Sequence, residues 1–535
     1  MPDEAIERWF LSPEDRGNPG SQIDGRRGNG LGYTVGNHVD LLVHGRSYFE
    51  HLHRALCEMQ AGDAVHFADW RGDPDEHLVD DVEFAEVLAD LAERGVKIRG
   101  LVWRSHPKVT GFHLEHHLEL AKRVNDAGGL LLLDQRVRRA GSHHQKLVLL
   151  RHASPDREDL AFVGGIDLCH GRRDDEQHLG DPQIEELDEA YGARPPWHDV
   201  QVSVRGPAIG DLDHTFRERW NDPTPLAGRR TPWRVFISRL AQEPDRRDRL
   251  PDQATDPTPV GSHAIQVLRT YPSKRPPYPF ALQGERSIVR AYERAFSRAR
   301  CLIYVEDQFM WSREVADLFE AALRHVRDLR VMVVVPRVPD RNGPLSGPPY
   351  RVAQLDLVDR LSEAGGDRFA IYDLENEAGT PIYVHAKTVV VDDVWAAVGS
   401  DNLNRRSWTH DSELSIGVLD EQLDGRVPAD PGGLGDGARV FARDLRMTLM
   451  QEHLGSETMD DLIDPLQAFD LARSAAAELD EWHRTGAHGS RPNGRLRTHR
   501  LPELQPLQAW WSRPLYRVLV DPDGRPRAMK RQNRY

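Results

Sequence analysis

Short apolar runs alternate with segments of helical period along most of this chain. In the first half, helical patterns over Val82–Arg94 and Leu114–Val124 each precede an apolar run, at Lys97–Trp103 and Leu130–Leu133, and a further strand is predicted over His144–Leu150. Apolar positions with a period near 3.6 are typical of amphipathic helices, and short apolar runs between helices are typical of buried strands. Their regular alternation predicts an α/β protein built on a layered sheet.

The same order of elements returns in the second half of the chain. Helical patterns and strand-like runs alternate there at Arg286–Arg298, Leu302–Val305, Glu314–His325, Arg330–Val335, Arg351–Glu363 and Tyr383–Val391. Between the halves, the sequence DPTP occurs twice, among charged runs typical of a connection. We therefore expect an irregular leader over residues 1–40, two similar lobes over residues 41–222 and 262–455, a connection over residues 223–261, and a helical extension with a basic tail over residues 456–535.

Composition and charge narrow the class of protein. Apolar residues make up 39% of the 535 residues and charged residues 29%, which is ordinary for a folded globular protein. The net charge of −15 would repel a polyanion unless basic residues were concentrated on one face, so extended nucleic-acid binding is disfavoured. The three cysteines, Cys57, Cys169 and Cys301, form no C-x-x-C pair and give no support to a disulfide framework or a structural zinc site.

The residues of this sequence do not resemble a signal peptide or a transmembrane segment. Its first residues carry acidic side chains where a signal peptide has basic ones, and no apolar core of ~7–15 residues follows them. No run of ~18 apolar residues occurs, which argues against a transmembrane span. We therefore expect a cytoplasmic monomer that contacts membranes only peripherally and transiently.

A short chemical motif occurs once in each half. His144 and Lys146 lie two positions apart on a predicted strand, so that an imidazole and an ammonium group project from one face of the sheet. His385 and Lys387 repeat this spacing, and Asp392 follows five positions after the second lysine. One such motif is more often an exposed polar face than a site. Two copies on matching strands indicate a shared active site.

The repeated motif resembles the signature of the phospholipase D superfamily, His-x-Lys-x-x-x-x-Asp, which two-lobed members carry twice. The flanking sequences VGGIDLCHGRRD, PWHDVQVSVRGPA, IQVLRTYP and IYVEDQF are similar to those of the eukaryote-like branch, and the resemblance spans roughly residues 40 to 455. It implies two similar α/β/α sandwich lobes, related by a pseudo-twofold axis, with the active site at their interface.

The resemblance also implies a role for each site residue. His144 is expected to attack phosphorus and form a phosphohistidine, while His385 protonates the leaving alcohol and then activates water. The residues expected to hold the phosphoryl oxygens are Lys146, Lys387, Asn402 and Ser400, those expected to orient the histidines are Asp199 and Glu413, and those with a structural role in the motifs are Asp392, Gly164, Gly165, Asp167 and Gly399. The chemistry requires no metal or other cofactor, because lysines neutralise the anion and a neutral imidazole is the nucleophile.

The activity implied is that of a phospholipase D, which hydrolyses lipids such as phosphatidylcholine to phosphatidic acid and free alcohol, with head-group exchange when an alcohol replaces water. Two alternatives stay open: a phosphodiesterase or nuclease of the same superfamily, and a catalytically impaired phosphate-binding homologue. The second alternative rests on Arg151, which stands where the first motif should have its aspartate. Asp156 or Asp159, in the longer turn that follows, is expected to take the place of that aspartate.

Overall fold

The computed structural model describes residues 4–105, 113–226, 248–340, 347–532 and 534–535. Residues 227–247, within the predicted connection, lie outside the described part. The α-helices are Glu4–Trp9, Pro13–Arg16, Gly45–Cys57, Phe84–Glu93, Leu114–Asp126, Ala208–Trp220, Ser287–Arg298, Arg313–His325, Gly347–Gly365, Arg405–Thr409, Val440–Leu454, Pro465–Arg484, Pro506–Leu515 and Arg527–Gln532. Of these described helices, none is long and apolar enough to cross a membrane.

Among the residues that the structure describes, seven strands form a mixed sheet in the first half. In spatial order they are Thr34–Val43, Val200–Arg205, Leu160–Gly164, Leu147–Arg151, Ala64–Asp69, Lys97–Trp103 and Leu130–Asp134. The last three strands are parallel, because helices connect them along the chain, and the other pairings are antiparallel.

The second half repeats this strand order and these directions. Its strands are His263–Tyr271, Glu413–Asp420, Trp395–Gly399, Lys387–Val391, Leu302–Asp307, Arg330–Val334 and Phe369–Glu375, with Leu496–Thr498 added at the outer edge. The two sheets join where Thr34 pairs with Ile265. The predicted α/β fold with two similar lobes is therefore confirmed.

Each sheet separates two layers of buried side chains. In the strand Leu147–Arg151, Leu147 and Leu149 enter a core that contains residues of both sheets, whereas Val148 and Leu150 face an outer core built with helices of the first half. This alternation is the period of two expected of a strand buried on both faces. Helices of the second half cover its outer face in the same way.

Two strands are shorter than predicted, and in both cases the histidine of the motif lies outside the strand. The first strand begins at Leu147 rather than His144, and the second is broken between Val384 and Lys387. His144 and His385 therefore lie in short segments before their strands. There the chain leaves its own sheet and pairs with the opposite half, where His143 forms a bridge with Ser412.

The leader is more regular than its sequence predicts. It contains the helices Glu4–Trp9 and Pro13–Arg16, and residues from Thr34 onward belong to the first strand. Ile6 and Trp9 are buried in the outer core of the second half. A six-residue helix is too short to show a period in the sequence, so only its tertiary contacts reveal it.

Candidate active site

The backbone places the two histidine motifs against opposite halves of the molecule. The His144 N–H donates to the carbonyl of Ser412 at 2.9 Å, and the His385 N–H donates to the carbonyl of His198 at 2.8 Å. Each motif therefore extends from its own sheet into the other lobe. These reciprocal bonds bring the two motifs together at the interface between the lobes.

The side chains cross the interface in the same reciprocal way. His144 Nδ1 lies 2.8 Å from Glu413 Oε2, and His385 Nδ1 lies 2.6 Å from Asp199 Oδ2. Both carboxylates are fully buried. Each histidine is thus held by an acid from the other half, with its Nε2 directed away from that acid. The sequence predicts both acids but not this exchange of partners.

A serine fixes the direction of the hydrogen bond to His144. The hydroxyl of Ser400 accepts the N–H of Leu414 at 3.0 Å and donates to Glu413 Oε2 at 2.6 Å. With Glu413 ionised, Oε2 accepts from both Ser400 and His144 Nδ1, and Nδ1 then carries the ring hydrogen. The lone pair of a neutral His144 is then on Nε2, the nitrogen available to an electrophile.

The glycines of the two motifs lie where a side chain has no room. A Cβ atom at Gly165 would lie 2.1 Å from Asp199 Oδ1, and one at Gly399 would lie 1.9 Å from Ser415 Oγ. At Gly164 the nearest atom, Gln201 Oε1, would be 2.3 Å away. Gly165 therefore lets Asp199 approach His385, which gives this glycine a direct connection to the site.

The two lysines have different surroundings. Lys146 Nζ lies 3.0 Å from Asp167 Oδ1, so the residue expected to have a structural role forms an ion pair with a site lysine. Burial opposes the charge of Asp167, but the neighbouring cations, Lys146 first and then Arg172, together outweigh it and hold the pKa of that carboxyl well below its usual range. Lys387 donates to the carbonyl of His385, and its Nζ is 3.4 Å from Gln308 Oε1. Burial lowers the pKa of Lys387 to about 8.

Asn402 occupies the position in the second half that Asp167 has in the first. It is buried, and its Oδ1 has no hydrogen-bond partner within the described part of the chain. The two lobes thus present an acid at one position and a neutral amide at the other. Of these two side chains, only Asn402 can offer a neutral donor to an anionic substrate.

Their surroundings favour the neutral form of both histidines. Burial and then Lys146 lower the pKa of His144 well below its usual value, and burial and then Lys387 do the same for His385. The lysine of the opposite motif lowers each pKa further. Both histidines therefore lie in one positive field. Burial, together with the charge of Asp411, raises the pKa of Glu413 to about 8.

Asp392, the acid that follows the strand Lys387–Val391, has a structural role in the second half. Asp392 accepts backbone N–H groups of Arg300, Cys301 and Leu302 at 2.7, 2.8 and 2.9 Å. These contacts lie at the end of the strand Lys387–Val391 that is remote from Lys387. Asp392 therefore joins the hairpin to the neighbouring strand and is not a ligand of the substrate.

In the first half a different acid provides that connection. Asp63 accepts the Ala153 N–H at 2.8 Å and pairs with Arg157 at 2.6 Å, so it ties the extended turn to the neighbouring strand. Asp159, one of the two acids expected to replace the lost aspartate, stays within its own hairpin, where it accepts the His152 N–H at 2.6 Å and pairs with Arg151 at 3.3 Å. Asp63 precedes the strand Ala64–Asp69, and no motif marks it in the sequence.

Two aromatic residues also contact the histidines. The Trp70 ring lies edge-on to His144 with centroids 5.9 Å apart, and the Trp197 ring lies 5.0 Å from that of His385. Sequence reasoning did not assign them a role. The one available signal is that Trp70 directly follows the strand Ala64–Asp69, at a sheet edge where sites are often built.

Comparison with known proteins agrees with a two-lobed fold that joins two histidine motifs. The phospholipase D family profile matches residues 84–326 and 369–488, and a second profile, described as cardiolipin synthase, PLD-like domain, matches residues 293–427. The chain belongs to the phospholipase D family.

Individual relatives support the same assignment. Phospholipase D alpha 1 of Cynara cardunculus is 27% identical over 523 residues, which cover 75% of this chain and 62% of the plant protein. Phospholipase D1 of Saccharomyces cerevisiae is 24% identical over 550 residues, which cover 84% of this chain and 31% of the yeast protein. This chain thus spans about three fifths of the length of the plant relatives and less of the yeast one.

A solved structure shares the fold. The phosphatidylserine synthase of Haemophilus influenzae matches with a TM-score of 0.50 at 12% identity, over 84% of this chain and 93% of the other. At this identity the likeness concerns the fold alone.

Proposed function

We propose that this protein is a phospholipase D that hydrolyses the terminal phosphodiester of glycerophospholipids, such as phosphatidylcholine, to phosphatidic acid and the free alcohol. The observation that carries this proposal is the crossed pairing of His144 with Glu413 and of His385 with Asp199. It supplies two oriented imidazoles and two lysines at one interface. The names of the relatives favour a phospholipid over other phosphodiesters.

The first step breaks the bond between phosphorus and the head-group oxygen. His144 Nε2 donates its lone pair to phosphorus, and the electron pair of the broken bond goes to the alcohol oxygen, which takes a proton from His385 Nε2. Lys146, Lys387 and Asn402 stabilise the non-bridging oxygens as charge develops on them. The negative substrate also offsets the lysine charges and so favours the imidazolium form of His385 that this step needs.

The second step regenerates the protein. His385, now neutral, removes a proton from water, and the resulting oxygen nucleophile attacks phosphorus. The phosphorus–nitrogen bond breaks, and its electron pair returns to His144. Because an alcohol can replace water here, the same site supports head-group exchange. The two displacements together retain the configuration at phosphorus.

An exposed apolar surface offers contact with a membrane. On the helix Pro506–Leu515, Leu507 is 71% and Trp510 is 76% exposed. This helix packs on Trp311 and Phe309, which follow the strand Leu302–Asp307 at the end where Asp307 pairs with Lys387. Exposed leucine and tryptophan on a helix beside basic residues are typical of segments that lie in a lipid interface.

The test compares substrates and variants of the purified protein. We expect release of choline from phosphatidylcholine vesicles, loss of this release in His144→Asn and in His385→Ala, and no cleavage of single-stranded DNA. Cleavage of DNA without choline release would favour the nuclease alternative. Turnover of neither substrate by a folded protein would overturn the proposal. A folded control, Asp159→Asn, changes a carboxylate outside the site and should retain activity.

A further inference from the structure

A second group of histidines lies directly behind the candidate active site. It consists of His44, His178, His198 and Glu452, here called the His3Glu cluster, whose ligand atoms all lie within 4.8 Å of one another. The three histidines are buried and Glu452 is nearly so. The histidines belong to the first half, whereas Glu452 comes from the helix Val440–Leu454 of the second.

The three imidazoles converge on one carboxylate. Glu452 Oε2 lies 2.7 Å from His44 Nε2, and Glu452 Oε1 lies 2.8 Å from His178 Nε2 and 3.7 Å from His198 Nδ1. The rings of His44 and His178 are nearly perpendicular, at 86°, with centroids 4.7 Å apart. One nitrogen of each ring is thus aimed at a common point beside Glu452.

In two of the three rings, the nitrogen that points away from Glu452 carries a hydrogen. His178 Nδ1 lies 3.1 Å from the carbonyl oxygen of Trp197, which can only accept a hydrogen bond. His198 Nε2 lies 2.6 Å from Glu306 Oε2 and donates to it. In neutral rings the inward nitrogens then present lone pairs to Glu452. The His198 Nδ1 has no hydrogen-bond partner in the described part of the molecule.

Two of the three histidines, His178 and His198, make the second hydrogen bond typical of metal-bound histidines, whereas His44 Nδ1 has no hydrogen-bond partner in the described part of the chain. Metal-bound histidines donate the hydrogen of their other nitrogen to a carbonyl or a carboxylate, which fixes the ring and the tautomer. The ring centroids of His178 and His198 lie only 5.8 Å apart, so one divalent cation beside Glu452 can accept the inward lone pairs of both rings.

The backbone is also held in an uncommon conformation at two of these positions. His44 has φ of 68° and His178 has φ of 53°, in the left-handed region that residues other than glycine seldom occupy. Such conformations persist where the surrounding structure or a ligand fixes them. Here they turn both rings toward Glu452.

We propose that the His3Glu cluster binds a divalent transition-metal ion, with zinc as the best fit, as a structural link between the two lobes. Three imidazoles and one carboxylate form a donor set suited to tetrahedral zinc, and four buried protein ligands make a closed, structural site. Zinc at roughly 2.0–2.2 Å from four tetrahedral donors holds these donors roughly 3.3–3.5 Å from one another, so the close nitrogen–oxygen pairs must open by roughly half an ångström and the wider pairs must close.

A metal ion in the His3Glu cluster helps to position residues of the active site. His198 directly precedes Asp199, and its carbonyl accepts the N–H of His385. A metal that fixes His198 therefore fixes the segment holding both members of the Asp199–His385 pair. The ion lies behind the histidine pair and takes no part in the reaction.

Metal content of the untagged protein, purified from zinc-supplied cells without chelator, is the direct test. We expect about one equivalent of zinc per chain and a lower Tm after chelation, restored by zinc. The cobalt-substituted protein should show the visible absorption of tetrahedral Co²⁺. His178→Ala and the conservative Glu452→Gln should lose the metal. His66→Gln, which changes a buried histidine paired with Asp213 elsewhere, should keep it.

Two results would overturn the proposal. The first is a folded wild-type protein that holds no zinc and binds none when it is added, since a metal-free network of hydrogen bonds is then sufficient. The second is zinc retained in both cluster variants. Neither result depends on catalysis, so this test and that of the proposed phospholipase activity can fail separately.

Discussion

Glu413 of the second half lies 2.8 Å from His144 of the first, although 269 positions separate them in the chain. Asp199 and His385 form the reverse pair at 2.6 Å. Each histidine therefore takes its ring orientation from the opposite lobe. This exchange makes the site a property of the assembled interface, so that neither half contains a complete catalytic group by itself.

Replacement of Asp199 by asparagine tests the role of the crossed acids. The amide keeps the shape of the side chain but can donate a hydrogen bond to His385 Nδ1, which favours the wrong tautomer. We expect Asp199→Asn to lower kcat by roughly 10²–10⁴-fold with little change in KM, as in other His–carboxylate pairs. Steady-state kinetics on mixed micelles measure both constants. A kcat within about twofold of wild type would contradict the orienting role.

Gly165→Ala tests the close approach of Asp199. The new Cβ would lie 2.1 Å from Asp199 Oδ1, so the carboxylate must move away from His385. We expect a large loss of kcat in a protein that retains its secondary structure by circular dichroism. Gly425→Ala is the matched control, because a Cβ there meets no atom within 4 Å. Equal activity of the two variants would show that the glycine has no part in positioning Asp199.

The pH dependence of kcat/KM reports the charge of Lys387. Burial lowers the pKa of this ammonium group to about 8, so the charge that holds the substrate is present below that pH and lost above it. The histidine pKa values lie well below 6.5 and leave His144 neutral at pH 7. We therefore expect kcat/KM to fall above about pH 8. A value that keeps rising up to pH 10 would contradict the role of Lys387.

The apolar helix should affect activity on membranes but not the chemistry. Replacing Leu507 and Trp510 by alanine removes exposed side chains that we place in the lipid interface. We expect reduced binding to phosphatidylcholine vesicles and reduced activity on them, with unchanged hydrolysis of a soluble short-chain substrate. Val427→Ala, at a residue 83% exposed beyond the far end of the strand Glu413–Asp420, is the control. Equal loss on both substrates would assign the helix a structural role instead.

The sequence predicts most of the fold because its strands and helices are strongly patterned. The helix Leu114–Asp126 and the strand Lys97–Trp103 lie where their apolar periods place them. The ends of the strands at His144 and His385 are less predictable. At both points pairing with the other lobe replaces pairing within the sheet, and a local pattern does not contain that information.

The sequence likewise predicts some features of the candidate site and not others. The residues of both motifs are visible as a repeat, and the resemblance to a family supplies Asp199 and Glu413. The partner of each acid depends on contacts between the lobes, and the position of Asp63 depends on the longer hairpin of the first half. The His3Glu cluster leaves no trace in spacing, because His44, His178, His198 and Glu452 come from four separate segments.

The central claim is that His144 becomes covalently bound to phosphorus while His385 acts as acid and base. A phosphatidyl substrate with a p-nitrophenol head group tests it directly, because this leaving group needs no proton. In His385→Ala we predict a burst of about one equivalent of nitrophenol and, after an alkaline quench, phosphorus on His144 by peptide mass spectrometry. His144→Asn should give neither. Phosphorus on His385 in the wild-type protein, or on neither histidine after a full burst, would contradict the account.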